Sequence, residues 1–120
     1  MVTREQANDF AQEWIQAWND RDLDAVLSHY TDGFELTSPL IAYCYGENTG
    51  VLRGKEAIRQ YWAELLAAHP DAEVTLKCVL AGVDSMALVY ETFQGKMAAE
   101  VFFLDSAGKI FRSVVHYNSF

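Results

Sequence analysis

Residues 85–120 read SMALVYETFQGKMAAEVFFLDSAGKIFRSVVHYNSF, and their alternation decides the fold. Side chains of a strand point to opposite faces in turn. The turn formers Gln94-Gly95 and Asp105-Ser106-Ala107-Gly108 divide the stretch into strands at Ser85 to Phe93, Lys96 to Leu104 and Lys109 to Phe120. A further strand, Glu73 to Ala81, precedes them across Gly82-Val83-Asp84, and connections this short make the simplest arrangement an antiparallel meander. A two-residue turn at Gln94-Gly95 sets Glu91 opposite Ala98, Val89 opposite Glu100 and Ala87 opposite Phe102. A turn of Asp105 to Gly108 sets Phe102 opposite Phe111, Glu100 opposite Ser113 and Ala98 opposite Val115. One face then carries Val89, Glu91, Phe93, Ala98, Glu100, Phe102, Leu104, Phe111, Ser113, Val115 and Tyr117. The other carries Met86, Leu88, Tyr90, Met97, Ala99, Val101, Phe103, Ile110, Arg112, Val114 and His116. Neither set suits water. Helices can cover one face, and a second copy of the chain is the economical cover for the other. That reading puts Met86, Leu88, Met97, Val101, Phe103 and Val114 near a two-fold axis.

The helices come from the first half. Thr3 with Gln6 forms a capping-box pattern, and Ala7, Phe10, Ala11, Trp14 and Trp18 recur at helical spacing. After Asn19-Asp20-Arg21, Asp22 is a good N-cap for a short second helix with Leu23, Val26, Leu27 and Tyr30 on one side. Phe34 to Ser38 alternates like a strand and stops at Pro39, which has no N–H for a ladder. Leu40 to Arg53 shows no period and reads as a long loop carrying Tyr43 and Tyr45. Gly54 opens a third helix with Ala57, Ile58, Tyr61, Trp62, Leu65 and Leu66 as its stripe, ending near His69-Pro70. The class is α+β: three helices packed on a curved antiparallel sheet, as one domain over residues 1–120.

Composition narrows the function. A net charge of -8 works against polyphosphate and anionic lipid surfaces, which are held by clustered Lys and Arg, so neither nucleic acid nor membrane is an expected partner. The opening residues lack the apolar stretch of a signal peptide, and no run approaches the length of a bilayer span, so the expected location is cytoplasmic. Cys44 and Cys78 match neither metal-ligand nor disulfide spacing and are expected to be free thiols. No His, Asp, Glu or Cys spacing calls for a metal, and nothing calls for a cofactor.

The runs Trp14 to Asp24, His29 to Phe34, Ser38-Pro39 and Arg53 to Ile58 resemble the nuclear transport factor 2-like superfamily, and within it the ketosteroid-isomerase and SnoaL-like polyketide-cyclase branch. The resemblance implies a cone-shaped fold with a hydrophobic pocket and frequent homodimers. It is poorly specific for activity, because similar chains include isomerases, cyclases, dehydratases and non-catalytic binding modules. The isomerases place a general-base Asp directly before the proline that ends the first strand. Ser38 stands there, and an unassisted hydroxyl cannot take a carbon-bound proton near neutral pH. Trp14 matches the position of their tyrosine oxyanion donor. Glu100 matches their protonated-acid donor, a case of a carboxylic acid kept neutral by an apolar site.

Two readings of the acids stand side by side: Glu91 and Glu100 as charges on a solvated face, or as pocket residues. On the pocket reading, Glu100 with Tyr117 or Trp14 polarises a carbonyl. The wall is then expected from Trp18, Tyr30, Ser38, Tyr61, Glu91, Phe102, Ser113 and Val115, with Tyr43 and Tyr45 as lid candidates. The expected ligand is a small apolar or aromatic compound. The function is either an isomerase-, cyclase- or dehydratase-type reaction on an apolar carbonyl compound, or ligand binding and dimerisation without chemistry.

Overall fold

A computed structural model describes residues 1–46 and 48–120. Helix α1, Arg4–Asn19, starts at the expected capping box, with the Thr3 hydroxyl accepting from Gln6 N–H and the Gln6 side chain accepting from Thr3 N–H, both at 3.0 Å. Helix α2, Leu23–Leu27, is capped by Asp22, whose carboxylate accepts from Ala25 N–H. It is shorter than expected, and Tyr30 belongs instead to strand β1, Tyr30–Thr37. The stretch read as a loop from Leu40 to Arg53 contains helix α3, Pro39–Tyr45, and strand β2, Val51–Arg53; Glu47 within it lies outside the described residues. Its Pro39 sits at the first helical position, where no N–H is needed, and Ser38 caps it by accepting from Leu40 N–H at 3.2 Å. There are thus four helices among the described residues rather than three. Helix α4 is Lys55–Ala68, and strands β3 to β6 are Thr75–Ala81, Ser85–Glu91, Met97–Leu104 and Ile110–Tyr117.

The six strands form one sheet in the order β2-β1-β6-β5-β4-β3. The meander is as expected, and β1 extends it by lying parallel to β6. The pairing differs from the expected register at both turns. Between β4 and β5 the turn is three residues, Phe93–Gly95, closed by Thr92 N–H on Lys96 O at 2.8 Å, with Gln94 and Gly95 both at positive φ. An odd-length turn reverses the phase of one strand relative to the other. Leu88 therefore pairs with Glu100 and Tyr90 with Ala98, so Met86, Leu88 and Tyr90 point inward while Val89 and Glu91 point outward. Between β5 and β6 the pairing slides by two: Glu100 faces Val115, Ala98 faces Tyr117 and Phe102 faces Ser113. An even slide preserves the faces, but an irregularity near Leu104 buries Ile110 and turns Phe111 outward.

Helices α1 and α4 cover the inner face. Phe10 and Trp14 meet Phe102 edge-on at 5.1 and 5.3 Å, and Trp62 meets Tyr30 and Phe34 at 5.6 and 5.9 Å. Aromatic pairs of this kind add to the burial of their large apolar area. Met86 and Leu88 are part of this core, so they are not on the outer face where a partner copy was expected to sit. That face carries Leu80, Ala87, Val89, Ala99, Val101, Phe103 and Val114 in its middle. It also holds the ion pairs Lys77–Glu91, Arg53–Glu35 and Arg112–Glu35. No helix among the described residues is long and apolar enough to cross a membrane.

Candidate functional site

The inner face does not pack solidly against the helices. Between them lies a cavity of about 80 Å³ whose deep end is polar and whose mouth is apolar. Glu100, on β5, is 3% exposed and reaches this cavity from the sheet. The Tyr90 hydroxyl donates to its Oε1 at 2.7 Å. Burial pushes the Glu100 carboxyl up to about 7, against the Tyr90 hydrogen bond, which favours the charged form. Ser113 is buried beside it. Among the described residues no Lys or Arg lines the cavity, so a proton rather than a counter-charge balances this acid as pH falls through about 7.

Three phenols complete the polar end. Tyr90 is held well above the usual phenol range by burial and then by the Glu100 charge, and Tyr117 is raised for the same two reasons. Tyr61 is raised by burial and then by Tyr117, while the nearby Ser38 hydroxyl works the other way on both Tyr61 and Tyr117. All three stay neutral hydrogen-bonding groups at physiological pH. The arrangement can hold a ligand oxygen and can exchange one proton, through Glu100, in a medium poor in water.

The apolar end is built by Trp18, Trp62, Leu65 and Leu66, together with Val74, Phe93 and His69. The α1–α2 turn holds this wall in place. Arg21 donates to the carbonyls of Leu66, His69, Pro70 and Ala72 at 3.0, 2.7, 2.7 and 3.3 Å. Asn19 brackets Val74 with two bonds to its backbone, at 2.7 and 3.0 Å. The guanidinium adds a second partner to the Leu66 carbonyl in the last turn of α4, ties the segment that follows to it, and places a cation where the helix dipole is negative.

Of the residues expected at the site, Glu100, Tyr117, Trp14, Trp18, Ser38, Tyr61 and Val115 line the cavity. Trp14 is not an available donor, because its indole N–H is bound to the Tyr30 hydroxyl at 3.0 Å. Tyr30, Phe102 and Ser113 are buried behind the lining rather than in it. Glu91 is on the outer face with Lys77, removed from the site by the odd turn. Tyr43 is exposed, and Tyr45 donates to Glu64 at 2.9 Å on the surface while its ring rests on Tyr61, so neither lines the cavity. The lining residues missed are Leu36, Trp62, Leu65, Leu66, His69, Ala72, Val74, Thr92, Phe93 and, most consequentially, Tyr90, the direct partner of Glu100. Its signal was present: Met86, Leu88 and Tyr90 form a more apolar alternate set than Ala87, Val89 and Glu91, which favours the former for the core. Among the described residues no three His, Cys, Asp or Glu side chains come together as a metal set.

The SnoaL-like domain model matches residues 11–116. The chain belongs to the SnoaL-like family. A SnoaL-like protein of unknown function from Burkholderia thailandensis is 45% identical over 98% of both chains, with a TM-score of 0.95. An NTF2-like protein of unknown function from Cytophaga hutchinsonii is 17% identical over 98% of this chain and 95% of its own, with a TM-score of 0.70. SalBIII, an epoxide hydrolase/cyclase-like enzyme of pyran ring formation in salinomycin, is 20% identical over 99% of this chain and 95% of its own, at 0.76. The last two likenesses establish the NTF2-like fold. A search of curated proteins finds no significant match.

Proposed function

We propose that this SnoaL-like protein binds a small apolar carbonyl compound and transfers a proton to or from it through Glu100, in an isomerase-, cyclase- or dehydratase-type reaction. The observation that supports this reading is a buried carboxyl with a tyrosine as its hydroxyl partner, no cation beside it and a pKa near the middle of the physiological range. A general acid or base is most effective with such a value. Tyr117 is the second donor for the ligand oxygen, in place of Trp14. Isothermal titration with small cyclic enones and aryl ketones tests it. Binding that weakens as pH rises through about 7 in the native protein, and loses that dependence in Glu100→Gln, supports the role. Binding indifferent to pH overturns it.

One observation favours pure binding. Ser38 occupies the position of the isomerases' general base, and its hydroxyl is engaged as the N-cap of α3. The expected outcome with Δ5-3-ketosteroids is no turnover at the rate of a dedicated isomerase, since a positioned base contributes on the order of a hundred- to ten-thousand-fold. A robust isomerase signal in the native protein would show that another group acts as base. The outer face fits a second copy of the chain, centred on Val101, Phe103 and Val114. The exposed thiols of Cys44 and Cys78 fit a reducing, cytoplasmic setting.

A further inference from the structure

At the mouth of the cavity the rings of His69 and Phe93 stack face to face, 4.1 Å between centroids and 13° between planes, and both side chains line the cavity. They are held very differently. His69 belongs to the segment that Arg21 and Asn19 pin through the carbonyls of Leu66, His69, Pro70 and Ala72 and both backbone groups of Val74. Phe93 belongs to the three-residue turn between β4 and β5, which is closed by Thr92 N–H on Lys96 O at 2.8 Å and Lys96 N–H on Phe93 O at 3.3 Å. Gln94 in that turn stands at a φ of 60°, a conformation that a non-glycine residue adopts only under constraint from its surroundings.

At about 80 Å³ the cavity is small beside the several hundred Å³ of ordinary small-molecule sites, so a ring-sized ligand requires part of the wall to move. The His69 side is bound by six side-chain hydrogen bonds, and the Phe93 side is the weaker. Moving Phe93 breaks its stack on His69 and gives up part of its packing against the core, the Lys96 ammonium 5.9 Å from its ring belonging to the same turn, and a ligand that offers a flat face restores the stack on His69. A puckered saturated ring offers C–H contacts there but no π-face to stack. The rest of the wall has the same preference, being lined by Trp14, Trp18, Tyr61, Trp62, Tyr90 and Tyr117.

We infer that the His69–Phe93 stack is the entrance to the cavity, that the Phe93 turn is its moving leaf, and that the stack selects planar, conjugated ligands, which take the place of Phe93 on His69. The carbonyl at the other end of such a ligand rests on the function proposed above; the entrance does not.

The three tryptophans of the chain all line the cavity, so tryptophan fluorescence, excited selectively at the red edge of the absorption band, reports on it. Acrylamide quenching of that fluorescence is expected to rise at least about threefold in Phe93→Ala and measurably in Phe93→Leu, which keeps most of the volume but not the stack. Unchanged quenching in both variants, with native circular dichroism, overturns the entrance. Calorimetry with 1-indanone and its saturated counterpart octahydroinden-1-one tests the selection. The expected preference for 1-indanone is at least about tenfold, retained in Phe93→Ala and reduced to within about threefold in His69→Ala. Equal affinities in the native protein, or a full preference in His69→Ala, overturn the selection. Glu100→Gln is expected to change both affinities by the same factor. Failure of both ketones to bind, with quenching still raised in Phe93→Ala, overturns the carbonyl reading and the selection but supports the entrance.

Discussion

The two faces of the central strands treat charge in opposite ways. On the outer face Glu35 lies between Arg53 and Arg112, Glu91 pairs with Lys77, and the Arg112 guanidinium rests 5.3 Å from the Phe103 ring. On the inner face Glu100 has phenols around it and no cation. An exposed charge is solvated and its pairing adds little. A buried one without a counter-charge must be neutralised by a proton, and its ionisation state then becomes available for chemistry. The sheet therefore separates a surface where acids serve solubility and edge pairing from one where a single acid is kept reactive.

The strongest test of that contrast moves a charge between faces. Leu88→Asp puts an unpaired carboxylate in the core beside Glu100, and the expected outcome is loss of the folded protein, a penalty of about 4 kcal/mol or more, read by circular dichroism and solubility. Val101→Asp, on the neighbouring strand and opposite face, is expected to leave the fold and to lower association, read by size-exclusion chromatography with light scattering. If the two variants behave alike, the faces are not distinct; if Val101→Asp leaves a dimer intact, the interface lies elsewhere.

Glu100→Gln follows in size. In the folded chain this carboxyl titrates at about 7, above its ordinary 4.5, so the folded state holds the proton more tightly than the unfolded one. The stability this contributes is fully present below about pH 4.5 and is lost as pH rises through about 7, a change of about 3 kcal/mol. Chemical denaturation of the native protein at pH 5 and pH 8 is expected to show that fall after subtraction of the profile of Glu100→Gln. A native profile parallel to that of Glu100→Gln would place Glu100 in a hydrated environment. The smallest expected effect is Glu35→Gln on the outer face. Losing its two exposed ion pairs is expected to change stability by less than about 1 kcal/mol, a Tm shift of a few degrees at most.

The odd turn at Phe93–Gly95 explains most of what was misread. Helix α1, helix α4 and the four meander strands were legible, because periodicity and caps are local properties of the chain. The faces of β5 and of β6 beyond its start were legible as well, so Glu100, Val115 and Tyr117 were placed inward, whereas Ile110 and Phe111 were exchanged by the irregularity near Leu104. Tyr90 and Glu91 were exchanged because phase passes across a turn only when its conformation is known, and Gln94 in a left-handed conformation carries no strong mark in the sequence. Helix α3 was missed for a related reason: a seven-residue helix has too few turns to show a period.

By itself, the sequence determined the class, the longer elements, the family and the presence of an acid on the apolar side of a strand, since each follows from residue order within one element or a motif. Tertiary structure decided which groups that acid meets. It set Tyr90 beside Glu100, tied up the Trp14 indole with Tyr30, removed Glu91 from the site, and brought Arg21 across to hold the wall on which His69 stacks with Phe93. Those contacts join residues from different elements, and their geometry depends on turn conformation and helix placement, which no single stretch of the chain encodes.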